Sequence, residues 1–349
     1  MIKSPYKETF QMRQSELLKK YAGLTERQKE RINRELDDLL AINRKLEDTQ
    51  PEECPHCLKK TKMIKKGKEC AKQRYQCQEC HHYFTYDSHT IMSNLKITEE
   101  EFIEICKDTL NLVPIKNTAA RLNRTIQTVF NNRHKFLALL EEIILQEDSY
   151  LSGTIEIDET YELESRKGTT LDNRKARKRG EPSKYRGISH EQVCIVTSTD
   201  RQGHEIFKAI GFGKPTSKII ADNYRDYIMN QSVLYTDGSF CYDQLSIDTN
   251  CKLVNLKTHK AYNKVEHLNT VNNIHSLIQR TFAYYRGVAT KYINRYMALF
   301  TVIRRYLDMD DNEKVELLIT SIKSFHCNIT IQSLKKSHLF AVNRVISSL

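Results

Sequence analysis

Two Cys-x2-Cys pairs restrict the fold of their segment more than any other feature of the sequence does. Cys54 and Cys57 form the first pair and Cys77 and Cys80 the second, in the pattern C-x2-C-x19-C-x2-C. Each such turn supplies two thiolates, and Zn²⁺ prefers a closed tetrahedron of four ligands. The spacing therefore predicts a structural zinc ribbon over residues 51–90. Weaker alternative ligands are Cys70, His56, His81 and His82.

Charge and cysteine usage indicate the partner and the compartment of the chain. The 349 residues suffice for two or three domains, and the net charge of +11 favours a polyanionic partner, most commonly nucleic acid. A merely basic soluble protein is the alternative. The start of the chain has no apolar signal region, and no run of about 18 apolar residues occurs. With ten cysteines that do not resemble a disulfide framework, we expect a cytoplasmic protein without a membrane span.

The segments on either side of the cysteine pairs are predicted to be helical. Residues 1–50 have apolar residues at helical spacing, which indicates either an oligomerising helix or a solvated helix at a domain edge. Thr98 and Glu101 have the spacing of a capping box, the signature of a helix start. The segment 91–149 is therefore expected to be a helical domain.

A helix-turn-helix pattern follows within residues 91–149. Apolar residues flank a turn at Asn123–Thr125, which favours two short helices packed around it. The second helix is expected to present outward Gln127, Thr128, Asn131, Asn132, Arg133 and Lys135. Such side chains read base edges or hold phosphates, so Arg133 and Lys135 are predicted DNA contacts. An ordinary helical hairpin is the alternative.

Strands alternate with helices over residues 150–258, which predicts an α/β sheet with mixed strand directions. Asp158 is predicted at the end of the first strand, in IEIDET, and Asp237 at the end of a later strand, in LYTDGS. Two cations about 3.5–4 Å apart, held by oxygen ligands, can activate an attacking hydroxyl and stabilise the leaving oxygen of a phosphodiester. The two aspartates are therefore candidate ligands for Mg²⁺ or Mn²⁺, although many α/β proteins carry acids at strand ends.

Several unlinked motifs occur in a fixed order, namely CPHC…CQEC, AARLNRTIQTVFNNRHK, EIDETY, TDGSFCYDQL and HLNTVNNIHSLIQR. Together they resemble the ISXO2-like insertion-sequence transposases, a zinc-ribbon branch of the DDE class, over about residues 50–310. The resemblance implies a ribonuclease-H-like catalytic domain and Mg²⁺-dependent cleavage and joining of DNA at transposon ends. It also implies that Asp158 and Asp237 are the first two catalytic residues and Asn272 the third.

The third catalytic position holds an asparagine instead of a carboxylate. The resemblance implies that some branches carry asparagine there, and an amide oxygen is a neutral ligand for a hard cation. Asn272 is thus interpreted as a ligand variant; a helix-surface residue or a decayed copy is the alternative. Glu266 and Glu156 are weaker substitutes. Where such transposases usually carry lysine seven residues later, this chain has Gln279, with Arg280 beside it.

Further basic residues are candidates for DNA binding. The loop from Arg166 to Arg186 contains nine Lys and Arg residues against two acids. A charge run of this kind is usually a solvated loop, but beside a metal site it is expected to clamp phosphates. Tyr161 and Tyr242 match family tyrosines near the aspartates, with core packing as the alternative. The predicted DNA contacts outside the helix-turn-helix are Arg174, Lys175, Arg177, Lys178, Arg179, Arg280 and Arg286.

These patterns together predict a multidomain DNA transposase. Its expected order is a helical segment (1–50), a zinc ribbon (51–90), a helix-turn-helix domain (91–149), a ribonuclease-H-like domain with a mixed sheet (150–310) and a C-terminal helical segment (311–349). The expected partners are double-stranded DNA and, because two transposon ends must meet, further copies of the chain. The alternatives are a DNA-binding regulator without catalysis and a nuclease without a joining step.

Overall fold

The computed structural model describes residues 51–69, 72–93, 95–146, 150–167, 182–256, 266–285, 287–306, 327 and 329–336. The chain divides into two compact units, Met1–Tyr86 and Asp87–Leu349. The predicted segment 1–50 lies outside the described residues, as do most of the segment 311–349 and the predicted DNA contacts Arg174, Lys175, Arg177, Lys178, Arg179 and Arg286. No helix of the described ranges is long and apolar enough to cross a membrane.

The described part of the first unit consists of a small antiparallel sheet and two turns that carry the cysteine pairs. Its strands are β1 (Met63–Glu69), β2 (Lys72–Cys77) and β3 (Tyr83–Thr85), paired in that order. The backbone N–H of Leu58 donates to the Cys54 carbonyl, and that of His81 donates to the Cys77 carbonyl. Both donors have a positive φ, 55° and 60°. The two turns therefore close in the same way, four residues after the first cysteine of each pair.

The second unit begins with three helices, α1 (Glu99–Leu110), α2 (Ile115–Arg121) and α3 (Ile126–Gln146). The predicted capping box at the start of α1 is confirmed: the Glu101 N–H donates to the Thr98 hydroxyl, and the Thr98 N–H donates to the Glu101 carboxylate. A short turn joins α2 to α3 and contains Asn123 with a φ of 51°. Two successive helices thus occupy the predicted helix-turn-helix positions.

The predicted outward orientation of α3 is wrong over most of its length. Asn132, Arg133 and Lys135 are only 8%, 1% and 5% exposed, while Gln127 in the first turn is exposed. The reason is packing on several sides, since α3 contacts α1, α2 and the helix Ile293–Arg305. A helix buried all round cannot present a long recognition face. Lys135 instead donates to the carbonyls of Ile91 and Ser93.

A five-stranded mixed sheet forms the centre of the second unit, as the alternation of strands and helices predicts. Its strands are β4 (Thr154–Leu163), β5 (Gln192–Asp200), β6 (Glu205–Phe212), β7 (Val233–Thr236) and β8 (Lys252–Asn255), in the spatial order β6-β5-β4-β7-β8. The pairs β4–β5 and β5–β6 are antiparallel, and β4–β7 and β7–β8 are parallel. The long strand β4 is thus central. The predicted strand end at Asp158 is wrong, because pairing with β5 continues β4 from Asp158 to Leu163.

Helices cover both faces of this sheet. They are α4 (Ser217–Tyr224), α5 (Asp243–Asp248), α6 (Asn269–Tyr284) and α7 (Ile293–Arg305), followed by the short α8 (Ile331–Lys336). Along β5, Val193 and Ile195 face one hydrophobic core, which includes buried residues of α1, α3, α6 and α7. Cys194 and Val196 face the other core, with residues of α4 and α5. This alternation is that of a strand buried on both faces.

Candidate active site

The pairing of β4 with β7 places two predicted ligands at the same level. The register joins Ile155 to Leu234 and Glu156 to Tyr235, and continuing it by two residues sets Asp158 opposite Asp237. One carboxylate oxygen each of Asp158, Asp237 and Glu159 lie within 4.8 Å of one another. The structure therefore brings Asp158 and Asp237 together, and adds Glu159, which the sequence analysis missed.

The segment that follows Asp237 holds the side chain of Glu159 by hydrogen bonds. The Tyr242 hydroxyl donates to Glu159 Oε2 at 2.6 Å, and Cys241 Sγ donates to Oε1 at 3.4 Å. Tyr242 is fully buried in the hydrophobic core, so it both packs and orients a carboxylate. In the sequence, this contact could have been indicated by the carboxylate next to Asp158 and by the Cys-Tyr pair shortly after Asp237.

The electrostatics of the three carboxylates favour a cation. Burial, and then the negative charges of Glu159 and Asp237, raise the pKa of Asp158 to about 8. Backbone N–H groups offset part of this repulsion, from Glu159 to Asp158 Oδ1 at 2.9 Å and from Ser239 to Asp237 Oδ1 at 2.8 Å. Clustered carboxylate oxygens are hard ligands of the kind that Mg²⁺ and Mn²⁺ prefer. The donor set therefore fits a divalent metal site.

Glu156, Asp158 and Thr160 face the same side of the sheet, because alternate residues of a strand do so. Helix α6 is hydrogen-bonded to β4 on this side. At the start of α6, the N–H groups of Thr270 and Val271 donate to Glu156 Oε2 at 2.9 and 3.2 Å. Near its end, Gln279 Nε2 donates to the Thr160 hydroxyl at 3.2 Å. Glu156 is therefore a helix anchor, and Gln279 is engaged with the sheet.

A histidine lies between these two anchors. His275 Nε2 lies 2.7 Å from the Thr197 hydroxyl, which itself donates to the backbone carbonyl of Asp158 at 3.3 Å. A hydroxyl has a single proton to donate, so Nε2 must be the donor towards Thr197. Burial lowers the pKa of His275 to about 4, which makes the ring neutral near pH 7. The histidine thus connects α6 to the backbone of the first aspartate.

Asn272 lies on the flank of α6 that faces these contacts. At about 100° per residue, Asn272 falls within about 60° of both His275 and Gln279 around the helix. Its side chain is exposed and makes no hydrogen bond among the described residues. Its approach to the carboxylates stays a prediction. Arg280 is also exposed, and its Nε donates to the Ser276 carbonyl one turn earlier.

The four predicted zinc ligands lie together in the first unit. The Sγ atoms of Cys54 and Cys80 are 3.6 Å apart, and those of Cys57 and Cys77 are 3.8 Å apart. All four sulfurs lie within 4.8 Å of one another, without a disulfide. A tetrahedral zinc site with Zn–S bonds of about 2.3 Å has sulfurs about 3.8 Å apart. The cluster is therefore compatible with zinc.

The mixed sheet and its carboxylate cluster define an α/β domain with a candidate cation site between the middle of β4 and the end of β7. Residues 150–301 match the family model of the ISXO2-like transposase domain, which confirms the predicted resemblance over this segment. Among solved structures, the chain is similar to one described as the crystal structure of a pre-cleavage Mos1 transpososome. The likeness has a TM-score of 0.22 and 10% identity, and covers 64% of this chain and 78% of that one. No curated protein matches the chain.

Proposed function

We propose that this protein is a transposase that binds the ends of an insertion sequence, cuts DNA strands there and joins the ends to target DNA. The observation that carries the proposal is the proximity of Asp158 and Asp237, which each offer a carboxylate oxygen within 4.8 Å of the other. The family match over residues 150–301 supports the same reading.

In this proposal, Asp158, Asp237 and Asn272 hold a pair of divalent cations. Bound Mg²⁺ or Mn²⁺ would activate the attacking oxygen and stabilise the leaving oxygen. Asp158 lies on a central strand and Asp237 at the end of its neighbour, so both carboxylates have rigid backbones. Glu159, held by Tyr242 and Cys241, adds negative charge beside them. Asn272 contributes a neutral oxygen from α6.

The proposed chemistry needs no covalent protein–DNA intermediate. In the first step, a water oxygen bonds to the phosphorus at the transposon end and the 3′ oxygen leaves as a free hydroxyl. In the second step, that 3′ hydroxyl bonds to a phosphorus of target DNA and displaces the target's own 3′ oxygen. Each step breaks one P–O bond and forms one, so both use the same site.

DNA recognition is proposed for the zinc ribbon and for the first turn of α3. All residues of β1 after Met63 are exposed, and three of them are lysines, which suits contact with phosphates: Lys65, Lys66 and Lys68. On α3, Gln127 donates to the Asn131 amide oxygen and is exposed. With the rest of α3 buried, base contacts are restricted to this first turn.

The test is cleavage of a DNA that carries the element's own end, in Mg²⁺ or Mn²⁺. We expect Asp158→Asn to lower cleavage more than about 100-fold and Asn272→Ala about 10- to 100-fold. The matched control is Asp222→Asn, an exposed aspartate on α4 that pairs with Arg225, and it should cleave like the unaltered protein. Tight end binding without cleavage would favour a regulator. Cleavage without joining to a target plasmid would favour a nuclease.

A further inference from the structure

Three buried side-chain nitrogens of the second unit have no hydrogen-bond partner among the described residues. They are Arg133 at Nε, His134 at Nδ1 and Arg295 at Nη1, in residues only 1%, 2% and 5% exposed. Arg133 donates through Nη2 to the Thr118 hydroxyl at 3.2 Å, and Arg295 pairs with Glu141 at 3.7 Å. Buried polar atoms without partners are costly, and their presence points to a group that the described residues do not supply.

A cavity of about 1170 Å³ lies between α2, α3 and the segment that links α6 to α7. Arg133 and His134 line it, and Lys116, Lys167 and Lys291 add positive charge. No acidic side chain is among its described lining residues. Burial, and then the charges of Arg295, Arg133 and Lys291, lower the pKa of His134 to about 3, so this ring is neutral near pH 7. The charge complement of such a cavity is an anion.

Aromatic side chains form another part of the wall. Phe130, Tyr285, Tyr292 and Tyr284 line the cavity, and Tyr284 is 61% exposed. The rings of Phe130 and Tyr292 already pack against His134 in tilted contacts, at 4.3 and 4.1 Å between centroids. The exposed ring of Tyr284 is therefore the aromatic surface open to a ligand. A phosphate acceptor joined to a planar ring is the chemistry of a nucleotide.

We propose that this cavity binds one unpaired nucleotide of a DNA strand, with its phosphate at Arg133 and Lys291 and its base on Tyr284. The ligand must be unpaired because a base inside a duplex does not expose its face to an aromatic side chain. The choice of DNA rests on the proposed function. Tyr284 lies twelve residues beyond Asn272 on α6, about 18 Å at 1.5 Å per residue, so the cavity and the carboxylate cluster engage different nucleotides.

The test is binding of a fluorescein-labelled strand of ten thymidines to the full chain, measured by fluorescence anisotropy without divalent metal. A ten-base-pair duplex and inorganic phosphate are the comparison ligands. We expect Tyr284→Ala and Lys291→Gln each to raise the Kd for the single strand roughly 10-fold and to change the Kd for the duplex less than about 2-fold. Both residues lie at the cavity wall, with Tyr284 exposed and Lys291 half-buried, so the fold should persist.

The matched controls are Tyr150→Ala and Lys218→Gln, which remove an exposed ring and an exposed charge outside the cavity. Equal losses in the control and cavity variants would overturn the proposal. If the cavity variants lose affinity equally for the single strand and the duplex, the proposal is overturned in favour of a backbone-phosphate contact. A third contrary outcome is that inorganic phosphate stabilises the protein against unfolding only when Lys291 is present, while Lys291→Gln leaves the Kd for the single strand unchanged. That outcome would overturn the proposal in favour of a small-anion site.

This result is independent of end cleavage. Single-strand binding that depends on Tyr284 and Lys291 would support the cavity even in a protein that fails to cut DNA. Conversely, a protein that cuts normally while both variants bind the strand like the controls would retain the proposed function and lose this site.

Discussion

Acidic residues on the single strand β4 differ in role because their surroundings differ. Glu156 accepts the N–H groups of Thr270 and Val271 and pairs with Arg201, so its charge is matched. Asp158 has one backbone donor and two neighbouring carboxylates, which raise its pKa after burial does. The sequence indicated Asp158 from its strand. The partners of Glu156 on α6 lie more than a hundred residues away and Arg201 lies 45 residues away, so no local pattern shows them.

Glu162 is not a predicted metal ligand, so it can test how the burial of a carboxylate changes stability with pH. Burial raises its pKa to about 7, against about 4.3 for an unfolded chain. The folded state therefore holds the proton more tightly, and this contribution to stability is full below about pH 4 and lost as the pH rises to 7. We expect Glu162→Gln to increase the free energy of unfolding at pH 8 by about 1–3 kcal/mol, with a smaller gain at pH 5.

Urea unfolding at the two pH values measures this difference, with Asp222→Asn as the control for loss of an exposed charge. The same gain at pH 5 and pH 8 would show that Glu162 does not titrate between them, contrary to the expectation.

At the scale of elements, α6 is the part of the site that the sequence defined least. Its helical spacing and the strands around it were predictable because apolar residues recur at the periods of helix and strand. Its anchorage was not, because Glu156, Thr197 and Thr160 contact it from strands far away in sequence. The same limit applies to α3: its local pattern suggested an exposed face, whereas α7, which begins at Ile293, far away in sequence, covers it.

Weakening the Glu156 anchor should affect α6 more than DNA binding. Glu156→Gln leaves a weaker acceptor for Arg201 and for the N–H groups of α6, so we expect the free energy of unfolding to fall by about 1.5–3 kcal/mol. Hydrogen exchange should quicken in the first turn of α6, and end cleavage should fall while end binding stays within about 2-fold.

Glu69→Gln, at an exposed carboxylate of β1, is the control for a lost surface charge. Unchanged exchange in α6 together with unchanged stability would contradict an anchoring role for Glu156.

At the scale of the whole molecule, the chain contains two units with separate cores. The core of the first unit is small, with buried Met63, Tyr75 and Phe84 between the cysteine turns. A core of this size usually needs a metal or a disulfide for stability. The cysteine spacing predicted this arrangement because both turns carry their ligands locally. The sheet of the second unit, by contrast, depends on pairings between distant strands.

Zinc removal should therefore unfold one unit and spare the other. We expect about one zinc per chain in freshly purified protein, and loss of hydrogen-exchange protection in β1–β3 after chelation. Protection in β4 and β5 should stay unchanged, because their core contains no residue of the ribbon. Cys57→Ser should reproduce the effect of chelation, and Cys106→Ser, at a buried cysteine of α1, should not release zinc. Loss of protection in both units at once would contradict this.

The most direct measurement of the central claim is the metal dependence of end cleavage by Asp237→Cys. A thiolate is a softer ligand than a carboxylate and binds Mg²⁺ poorly, but it accepts Mn²⁺ better. If Asp237 holds a catalytic cation, the variant should be inactive in Mg²⁺ and partly active in Mn²⁺, whereas the unaltered protein should cleave in both. Cleavage in Mg²⁺ by Asp237→Cys at the rate of the unaltered protein would contradict the account.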